Sequence, residues 1–546
     1  MNLPPAAGQA AAGPRGRGAP AAELLLVALL GAAQTLAFVH TAAWPLPLLT
    51  LLVLVWRLNQ AAPRRAALLG WCYGTAWLVA GVWWLFISMH RYGGLPAPLA
   101  AAAVLALCAA LSLYLALAGA LYARWRRGRP GADALLFAAL WLLAEWARGI
   151  IFTGFPWLAV GYSQVDSPLA ALAPWVGVYG VGALMAWAAA LWAGLGALPA
   201  SRRAPVAVAV LVVVMLPGLA GPVAFTQSAG HFSVALLQPN VSQDEKFATE
   251  RMPDALAWVA RELVQARADL VVTPETAVPL LPGQLEDFAP GYWDGLRAHF
   301  SAPGRAALVG VPLGDFDRGY TNSVAGLSAQ TAAPAATYRY DKQHLVPFGE
   351  FIPTGFRWFT EAMNIPLGDF SRGVLNPPSF VLGAQRVAPN ICYEDLFGEE
   401  LARRFADPAT APTVFANVSN IGWFGNTIAI DQHRNISRFR TLEFQRPMIR
   451  ATNTGATALI DHQGRVVAEL PRHTQGVLQG QVEGRSGTTP FAWWAARAGL
   501  WPLCLAALAV CLWAARRART RARILADSVQ AHIIQAHTEC CRGSAR

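Results

Sequence analysis

Long apolar runs occupy the first part of the chain and return once near its end. A hydrocarbon core about 30 Å thick is crossed by roughly 20 predominantly apolar residues in a helix. Runs of this kind lie at residues 21–40, 44–59, 66–88, 96–123, 132–152, 172–198, 204–225 and 493–514. We therefore expect eight transmembrane helices. The first run could be taken for a signal peptide, but the six further runs before residue 227 favour a retained helix.

Residues 228–485 have a different pattern, in which short β-branched runs end at Pro, Asn or Gly. These runs lie at residues 232–240, 268–279, 306–312, 323–328, 386–397 and 412–420. Helical patterns lie between them at 253–267 and 432–451. Strands that alternate with helices are typical of an α/β domain. The whole pattern predicts an α-helical integral membrane bundle joined to an α/β domain.

Arginine is concentrated in alternate connections between the apolar runs. The intervening connections contain almost none apart from Arg91. The rich segments contain Arg15 and Arg17; Arg57, Arg64 and Arg65; Arg124, Arg126, Arg127 and Arg129; Arg202 and Arg203; and Arg516, Arg517, Arg519, Arg521 and Arg523. Because short basic connections stay in the cytoplasm, both chain ends are expected there. Residues 228–485 are then expected on the outer side of the membrane.

Composition and charge support this membrane assignment and argue against nucleic-acid binding. Hydrophobic residues make up 55% of the chain and charged residues 14%, against about 25% charged residues in soluble domains. Residues 228–485 contain 22 Lys/Arg and 26 Asp/Glu, whereas the remainder contains 21 and 6. The basic excess therefore belongs to the apolar part, and a nucleic-acid-binding face is not expected on the soluble part.

These patterns divide the chain into five segments. We expect a disordered cytoplasmic arm at 1–20, a seven-helix transmembrane domain at 21–227, an outer α/β domain at 228–485, a final transmembrane helix at 486–515 and a basic cytoplasmic tail at 516–546.

Three reactive side chains follow predicted strands in the α/β domain. Glu275 follows "VVTP", Lys342 follows "YRYD" and Cys392 follows "APNI". Loops after strands are the usual location of chemistry in α/β folds. A cysteine can attack a carbonyl, a glutamate can exchange its proton, and an ammonium can stabilise an oxyanion. Cys392 is also the only cysteine of residues 228–485, so this segment has no internal disulfide.

Lysine is almost absent from the chain, which gives its two lysines added interest. The sequence contains 41 arginines, and its lysines are Lys246 and Lys342. A compact ammonium can approach a carboxylate and an oxyanion as a point charge, whereas a guanidinium is planar and forked. The strong preference for arginine over lysine indicates that the amine of Lys342 is required. It points in the same way to Lys246, which has fewer informative residues around it.

Several segments resemble a known superfamily, and some of them resemble one family within it. "TPETAVP" around Glu275, "YDKQHLVPFGEFIP" around Lys342 and "NICYEDLF" around Cys392 are similar to the Glu, Lys and Cys motifs of the nitrilase-like carbon–nitrogen hydrolase superfamily. "KQHLVPFGE", "SNIGWFGN", "RATNTG" and "TGFPWLAVGYSQ", together with the membrane helices, resemble the apolipoprotein N-acyltransferase family.

The resemblance implies a fold, a location and a reaction. It implies an αββα sandwich on the periplasmic side of the bacterial inner membrane. It further implies that an acyl chain passes from a phospholipid, usually phosphatidylethanolamine, through a cysteine thioester to the amine of a diacylglyceryl-cysteine apolipoprotein. Neither a metal nor a diffusible cofactor is implied.

The resemblance also implies roles for particular residues. Cys392 matches the nucleophile, Glu275 the general base and acid, and Lys342 the third member of the triad. The supporting positions match Glu350, Tyr393 and Glu394. Aromatic candidates near the acyl chain are Phe247 and Trp423, and the aromatic-rich segment 348–370 is either core packing or a lid that dips into lipid.

Two other functions are compatible with parts of this pattern. A membrane-tethered amide hydrolase would use the same triad and transfer the acyl group to water, but it would need one anchor at most. A transporter or receptor with a degenerate outer domain would place charged residues inside its spans. Glu145 is nearly the only acidic candidate there, so this alternative is disfavoured.

Overall fold

The computed structural model describes residues 20–246, 248–331, 338–352, 355 and 370–543. The first part of the chain is helical, as its apolar runs predict. Its helices are α1 Pro20–Gln34, α2 Leu36–Val39, α3 Pro45–Leu58, α4 Pro63–Val82, α5 Leu85–Ile87, α6 Ala97–Leu111, α7 Leu113–Trp125, α8 Pro130–Ile150, α9 Ala173–Ala193 and α10 Ala200–Ala220. The expected arm, Phe247 and most of segment 348–370 lie outside the described residues.

Seven helical segments of the described chain are long and apolar enough to cross a membrane. They are Ala21–Val39, Thr41–Leu58, Ala97–Trp125, Pro130–Thr153, Pro168–Ala193, Ala200–Ala220 and Trp501–Arg521. The run predicted at 66–88 is instead a pair of helices, Pro63–Val82 and Leu85–Tyr92, bent by 61°. If this pair forms one span, the number of spans equals the predicted eight.

The last apolar run is divided differently from the expected single helix at 486–515. Helix α16, Pro490–Ala498, begins after Thr489, whose hydroxyl accepts the N–H of Ala492, and it ends at Gly499. Gly499 has φ +54°, a conformation that interrupts the helix and favours glycine. Helix α17 then runs from Trp501 to Gly543. The candidate span therefore begins near 501, and most of the predicted basic tail continues the same helix.

The middle of the chain forms two six-stranded sheets. The strands are β1 Thr226–Gln238, β2 Leu270–Val272, β3 Ala306–Asp315, β4 Gly319–Ser328, β5 Tyr338–Asp341, β6 Phe380–Leu382, β7 Gln385–Ile391, β8 Val414–Ser419, β9 Met448–Thr452, β10 Ala458–Ile460, β11 Val466–Glu469 and β12 Gly476–Gly487. The first sheet has the order β12-β1-β2-β3-β4-β5 and the second β11-β10-β9-β8-β7-β6. In each sheet the three central strands, β1–β3 or β7–β9, are parallel.

The two sheets pack face to face between layers of helix. One apolar core joins Leu236 and Val272 of the first sheet to Val414 and Ile449 of the second. The outer face of the first sheet is covered by α11 Met252–Gln265, α12 Pro282–Phe288 and α13 Tyr292–Phe300. The outer face of the second sheet packs against α14 Gly398–Ala402 and α15 Ala429–Phe444, in a core continuous with that of the membrane helices. This arrangement confirms the predicted αββα sandwich.

Helix α15 is shorter than the helical pattern predicted at 432–451. It ends at Phe444, because Gln445 adopts a left-handed conformation with φ 46°. Pro447 then disfavours a helical conformation in the residue before it. Met448–Thr452 forms β9, which pairs with β8 in the centre of the second sheet. The helical periodicity of the sequence continues past Pro447, but the pairing of residues 448–452 with β8 decides their conformation.

Candidate active site

The Glu275 turn follows β2 and is packed tightly on the neighbouring strand. A Cβ atom at Gly310 of β3 would lie 2.1 Å from the carbonyl oxygen of Pro274 and 2.9 Å from the nitrogen of Thr276. Only glycine leaves room for so close an approach of backbone to backbone. Thr276 itself has φ 48°. The turn is thus held in an unusual shape that directs the Glu275 carboxylate towards the ends of other strands.

Lys342, directly after β5, lies between two carboxylates. Its Nζ donates to Glu275 Oε1 at 3.2 Å and to Glu350 Oε1 at 2.8 Å, and 1% of its side chain is exposed. The amide Nδ2 of Asn322 donates to the same two oxygens at 2.7 Å each. The second oxygen of Glu350 accepts the N–H of Val346 at 2.8 Å. The structure therefore brings together three predicted site residues and one that the sequence reading omitted.

The charges of this cluster stabilise one another against the cost of burial. Burial raises the pKa of Glu275, but the Lys342 ammonium and the Asn322 amide lower it more, and the net pKa lies below the ordinary value. Burial lowers the pKa of Lys342, whereas Glu275 and Glu350 raise it to well above its ordinary value. Both groups are therefore charged at neutral pH, as an ion pair with neighbouring donors requires.

Cys392 begins the turn after β7 and is partly buried. It has φ 52°, and its carbonyl oxygen accepts from Asn417 Nδ2 at 3.3 Å and lies 3.1 Å from His433 Nε2. Burial raises the pKa of the Cys392 thiol to about 12; the Glu275 carboxylate also raises it and the Lys342 ammonium lowers it. The resting side chain is a thiol, so attack on a carbonyl requires a base that removes its proton.

Glu394 joins the loop that carries the lysine to the loop that carries the cysteine. Its Oε1 accepts the N–H groups of Gln343 and His344 at 2.7 and 3.2 Å. Its Oε2 accepts the N–H of Ile391 at 2.7 Å and the hydroxyl of Tyr340 at 2.5 Å. Four donors on one buried carboxylate fix the relative position of the two loops. Glu394 is therefore placed to position the reactive groups.

Tyr393 faces the membrane helices. Its hydroxyl donates to the carbonyl oxygen of Gly154 at 2.9 Å. Nearby, His344 Nε2 lies 2.9 Å from the carbonyl oxygen of Thr153, and the His344 ring stacks on Phe397. Residues 153–154 follow α8, so the loop after β5 and the turn after β7 both contact a connection of the membrane domain.

Trp423 lies in a short helical turn, Ile421–Phe424, near the bent membrane helix. Its ring meets the ring of Tyr92 edge-on, with 5.7 Å between centroids. The adjacent Phe424 packs on Trp84 at 4.2 Å. Trp423 therefore lies between the catalytic domain and a membrane helix, and its proposed contact with an acyl chain stays a prediction.

Two site contacts were not visible to sequence reasoning. Asn322 stands one position before the strand predicted at 323–328, where an asparagine has no distinguishing local pattern, and the structure places it inside β4. The main-chain N–H of Asn420 donates to Glu275 Oε2 at 2.9 Å, and a main-chain donor leaves no mark in the sequence.

Two family models match this chain in consecutive parts. Residues 30–191 match the N-terminal domain of apolipoprotein N-acyltransferase, and residues 233–490 match the carbon-nitrogen hydrolase domain. An apolipoprotein N-acyltransferase of Verminephrobacter eiseniae is 53% identical over 502 residues, covering 88% of this chain and 92% of that protein. The chain belongs to the apolipoprotein N-acyltransferase family. A second such relative, from Ralstonia nicotianae, is 47% identical over 482 residues, with 85% and 88% coverage.

Membership of the apolipoprotein N-acyltransferase family agrees with the two halves of the structure. The N-terminal family domain coincides with the apolar helices, and the carbon-nitrogen hydrolase domain coincides with the two sheets. The predicted nitrilase-like αββα fold, its membrane character and the predicted family are therefore confirmed.

Proposed function

We propose that this protein transfers an acyl chain from a phospholipid to the N-terminal amine of diacylglyceryl-cysteine apolipoproteins, through a thioester on Cys392. The observation that carries the proposal is the buried Glu275–Lys342–Glu350 cluster beside a partly buried thiol. It is supported by close relatives that are named apolipoprotein N-acyltransferases.

In the first half-reaction, Cys392 Sγ attacks an ester carbonyl of the phospholipid. The Glu275 carboxylate takes the thiol proton, a C–S bond forms and the ester C–O bond breaks. Glu275 returns the proton to the oxygen of the leaving lysophospholipid. Lys342 stabilises the oxyanion that forms between these steps. Because the raised pKa of the Cys392 thiol leaves very little thiolate in the resting protein, attack requires Glu275 to remove the thiol proton.

In the second half-reaction, the amine of the apolipoprotein attacks the thioester. A C–N bond forms, the C–S bond breaks, and Glu275 carries the amine proton to the departing sulfur. A thioester suits this exchange because it reacts readily with amines and survives while one lipid leaves and another arrives. Water must be kept from the intermediate, and we propose that Trp423 and Phe247 help to cover the acyl chain.

We propose phosphatidylethanolamine as the donor and the periplasmic face of the bacterial inner membrane as the location. The alternation of arginine between successive connections supports this orientation, with both chain ends in the cytoplasm. The contacts of Tyr393 and His344 with residues 153–154 support a site close to the membrane helices.

Intact mass spectrometry of the purified protein tests the proposal. After incubation with phosphatidylethanolamine, the wild type should gain the mass of one acyl chain and lose it when a diacylglyceryl-cysteine peptide is added. Cys392→Ala should gain no mass, whereas Cys72→Ala, a matched change in a membrane helix, should behave as wild type. Glu275→Gln should form the acyl-enzyme more slowly by about a hundredfold or more.

The alternatives give different results in the same experiment. An acyl mass that decays in water but does not respond to the peptide would identify a tethered hydrolase. A folded wild-type protein that gains no acyl mass would refute the thioester and the transferase together.

A further inference from the structure

The loop of residues 240–246 links the active site to strands of both sheets. The N–H groups of Asn240 and Val241 donate to the carbonyl and side-chain oxygens of Asn453 at 2.9 and 3.0 Å. Gln243 Oε1 accepts from Asn420 Nδ2 at 2.8 Å. Asn420 in turn donates its main-chain N–H to the Glu275 carboxylate. The loop is therefore fixed on the same side of the site as the base.

Lys246 ends this loop and points at the Glu275 turn. Its Nζ donates to the carbonyl oxygen of Glu275 at 3.1 Å and to the hydroxyl of Thr276. The side chain is buried, with 6% of the residue exposed. A buried ammonium requires partners of this kind, and both partners belong to the two residues of the strained turn. Lys246 thus holds the main chain of the base, whereas Lys342 holds its carboxylate.

The charge of Lys246 also acts on the reactive groups. Burial lowers the pKa of Lys246 to about 8, against the opposing effects of Glu275 and Cys392. Reciprocally, Lys246 is among the groups that lower the pKa of Glu275. The two groups are therefore close enough for the protonation of one to depend on the charge of the other.

We propose that Lys246 is a positioning residue of the acyl-transfer site, which fixes the Glu275 turn and keeps a positive charge beside the base. It acts through Glu275, because its hydrogen bonds go to the main chain of Glu275 and to the hydroxyl of Thr276. The inference rests on the proposed function, because it assumes that Glu275 serves as the base. It also accounts for the second lysine in a chain that uses arginine at 41 other basic positions.

The pH dependence of acyl-enzyme formation distinguishes positioning from a purely structural role. Activity that needs the Glu275 carboxylate is present above the pKa of that group and is lost as the pH falls through it. Lys246→Met removes a neighbouring positive charge and so raises the pKa of Glu275. We expect the acid limb of the rate profile to move to higher pH by about one unit, and the rate at neutral pH to fall by about tenfold.

Two further variants separate the charge from the hydrogen bond. Thr276→Val keeps the charge of Lys246 and the shape of the turn. The acid limb of its pH–rate profile should therefore stay at the wild-type position, and its rate of acyl-enzyme formation should fall less than that of Lys246→Met. Lys246→Arg keeps the positive charge but replaces the compact ammonium with a planar, forked guanidinium. The acid limb of its pH–rate profile should therefore stay at the wild-type position, while its rate of acyl-enzyme formation falls. Lys246→Gln serves as the uncharged variant if the methionine variant does not fold, as judged from thermal unfolding.

The results also separate this inference from the proposed function. An unmoved acid limb in a folded, uncharged Lys246 variant would overturn the inference while leaving the transferase intact. A wild-type protein that forms no acyl-enzyme would refute the function itself. An acid limb that moves to higher pH in the uncharged Lys246 variants, but not in Lys246→Arg or Thr276→Val, would establish the role of Lys246.

Discussion

At the scale of single residues, the site depends on the position of the Lys342 ammonium between two carboxylates. Lys342 Nζ approaches Glu275 and Glu350 at 3.2 and 2.8 Å in a slot that is closed to solvent. Asn322 supplies a neutral donor to each of the same oxygens. A compact ammonium fits between two carboxylates and one amide, whereas a planar guanidinium needs more width and imposes its own geometry.

Lys342→Arg should therefore fold and insert into the membrane yet lose acyl transfer. We expect the rate of acyl-enzyme formation to fall by about a hundredfold, because the fork cannot direct one donor to the oxyanion. Rates measured by intact mass spectrometry test this, with Arg318→Lys on the exposed turn after β3 as a control for exchange between the two residue types. Near-normal transfer by Lys342→Arg would show that any cation suffices.

Asn322→Leu tests the neutral donor of the same cluster. The pKa of Glu275 lies below its ordinary value partly because Asn322 donates to it. Removal of the amide raises that pKa, so the carboxylate is protonated at a higher pH than in the wild type. We expect the acid limb of the rate profile to rise by about one unit. A rate that falls equally at every pH would instead indicate misplacement of the cluster.

At the scale of elements, the reactive groups are assembled from loops that follow β2, β5 and β7. The buried carboxylate of Glu394 ties the lysine loop to the cysteine loop. The hydroxyl of Tyr393 then ties the cysteine loop to the connection after α8. Hydrogen bonds between loops therefore fix the relative positions of the groups in the site.

Tyr393→Phe should lower both stability and acyl transfer. Loss of the bond to Gly154 should cost about 1 kcal/mol of the free energy of unfolding, and displacement of the neighbouring nucleophile should slow acylation by about tenfold. Tyr338→Phe is a matched control, because its hydroxyl also donates to a carbonyl oxygen at 2.9 Å, that of Pro378. Equal activity in both variants, at comparable thermal midpoints, would exclude a special role for the Tyr393 bond.

At the scale of the whole molecule, the membrane half and the catalytic half share one packed interface. The hydroxyl of Tyr162 donates to the carbonyl oxygen of Leu396 at 3.1 Å. The N–H of Val178 donates to Glu443 Oε1 at 2.7 Å. The apolar core of the membrane helices continues into the helix layer under the second sheet. These contacts hold the site in one orientation relative to the membrane helices.

Cysteine labelling on intact cells tests that orientation. Phe316→Cys introduces a thiol at a residue that is 71% exposed on the catalytic domain. It should react with a membrane-impermeant maleimide from outside. Ser201→Cys, in an exposed position at the start of α10, should react only after the membrane is opened. Labelling of the wild type gives the background, and the reverse pattern would invert the proposed topology.

The sequence by itself determined the elements and the reactive residue types. Apolar length specified the spans, β-branched runs specified the strands, and motifs identified Glu275, Lys342 and Cys392, because these features are local along the chain. Local pattern was insufficient where distant segments compete. From local pattern alone, a helix was predicted over residues that form β9, and α16 was predicted to be part of the last membrane helix.

Only the tertiary structure decided which groups share the site. Asn322 meets Glu275 across 47 positions of sequence, and the N–H of Asn420 meets it across 145. Lys246 meets the carbonyl of the same residue from a loop that follows β1. Such contacts depend on the order of strands in the sheets and on the direction of each loop. Composition and periodicity do not encode that order, because neither records which strand ends become neighbours.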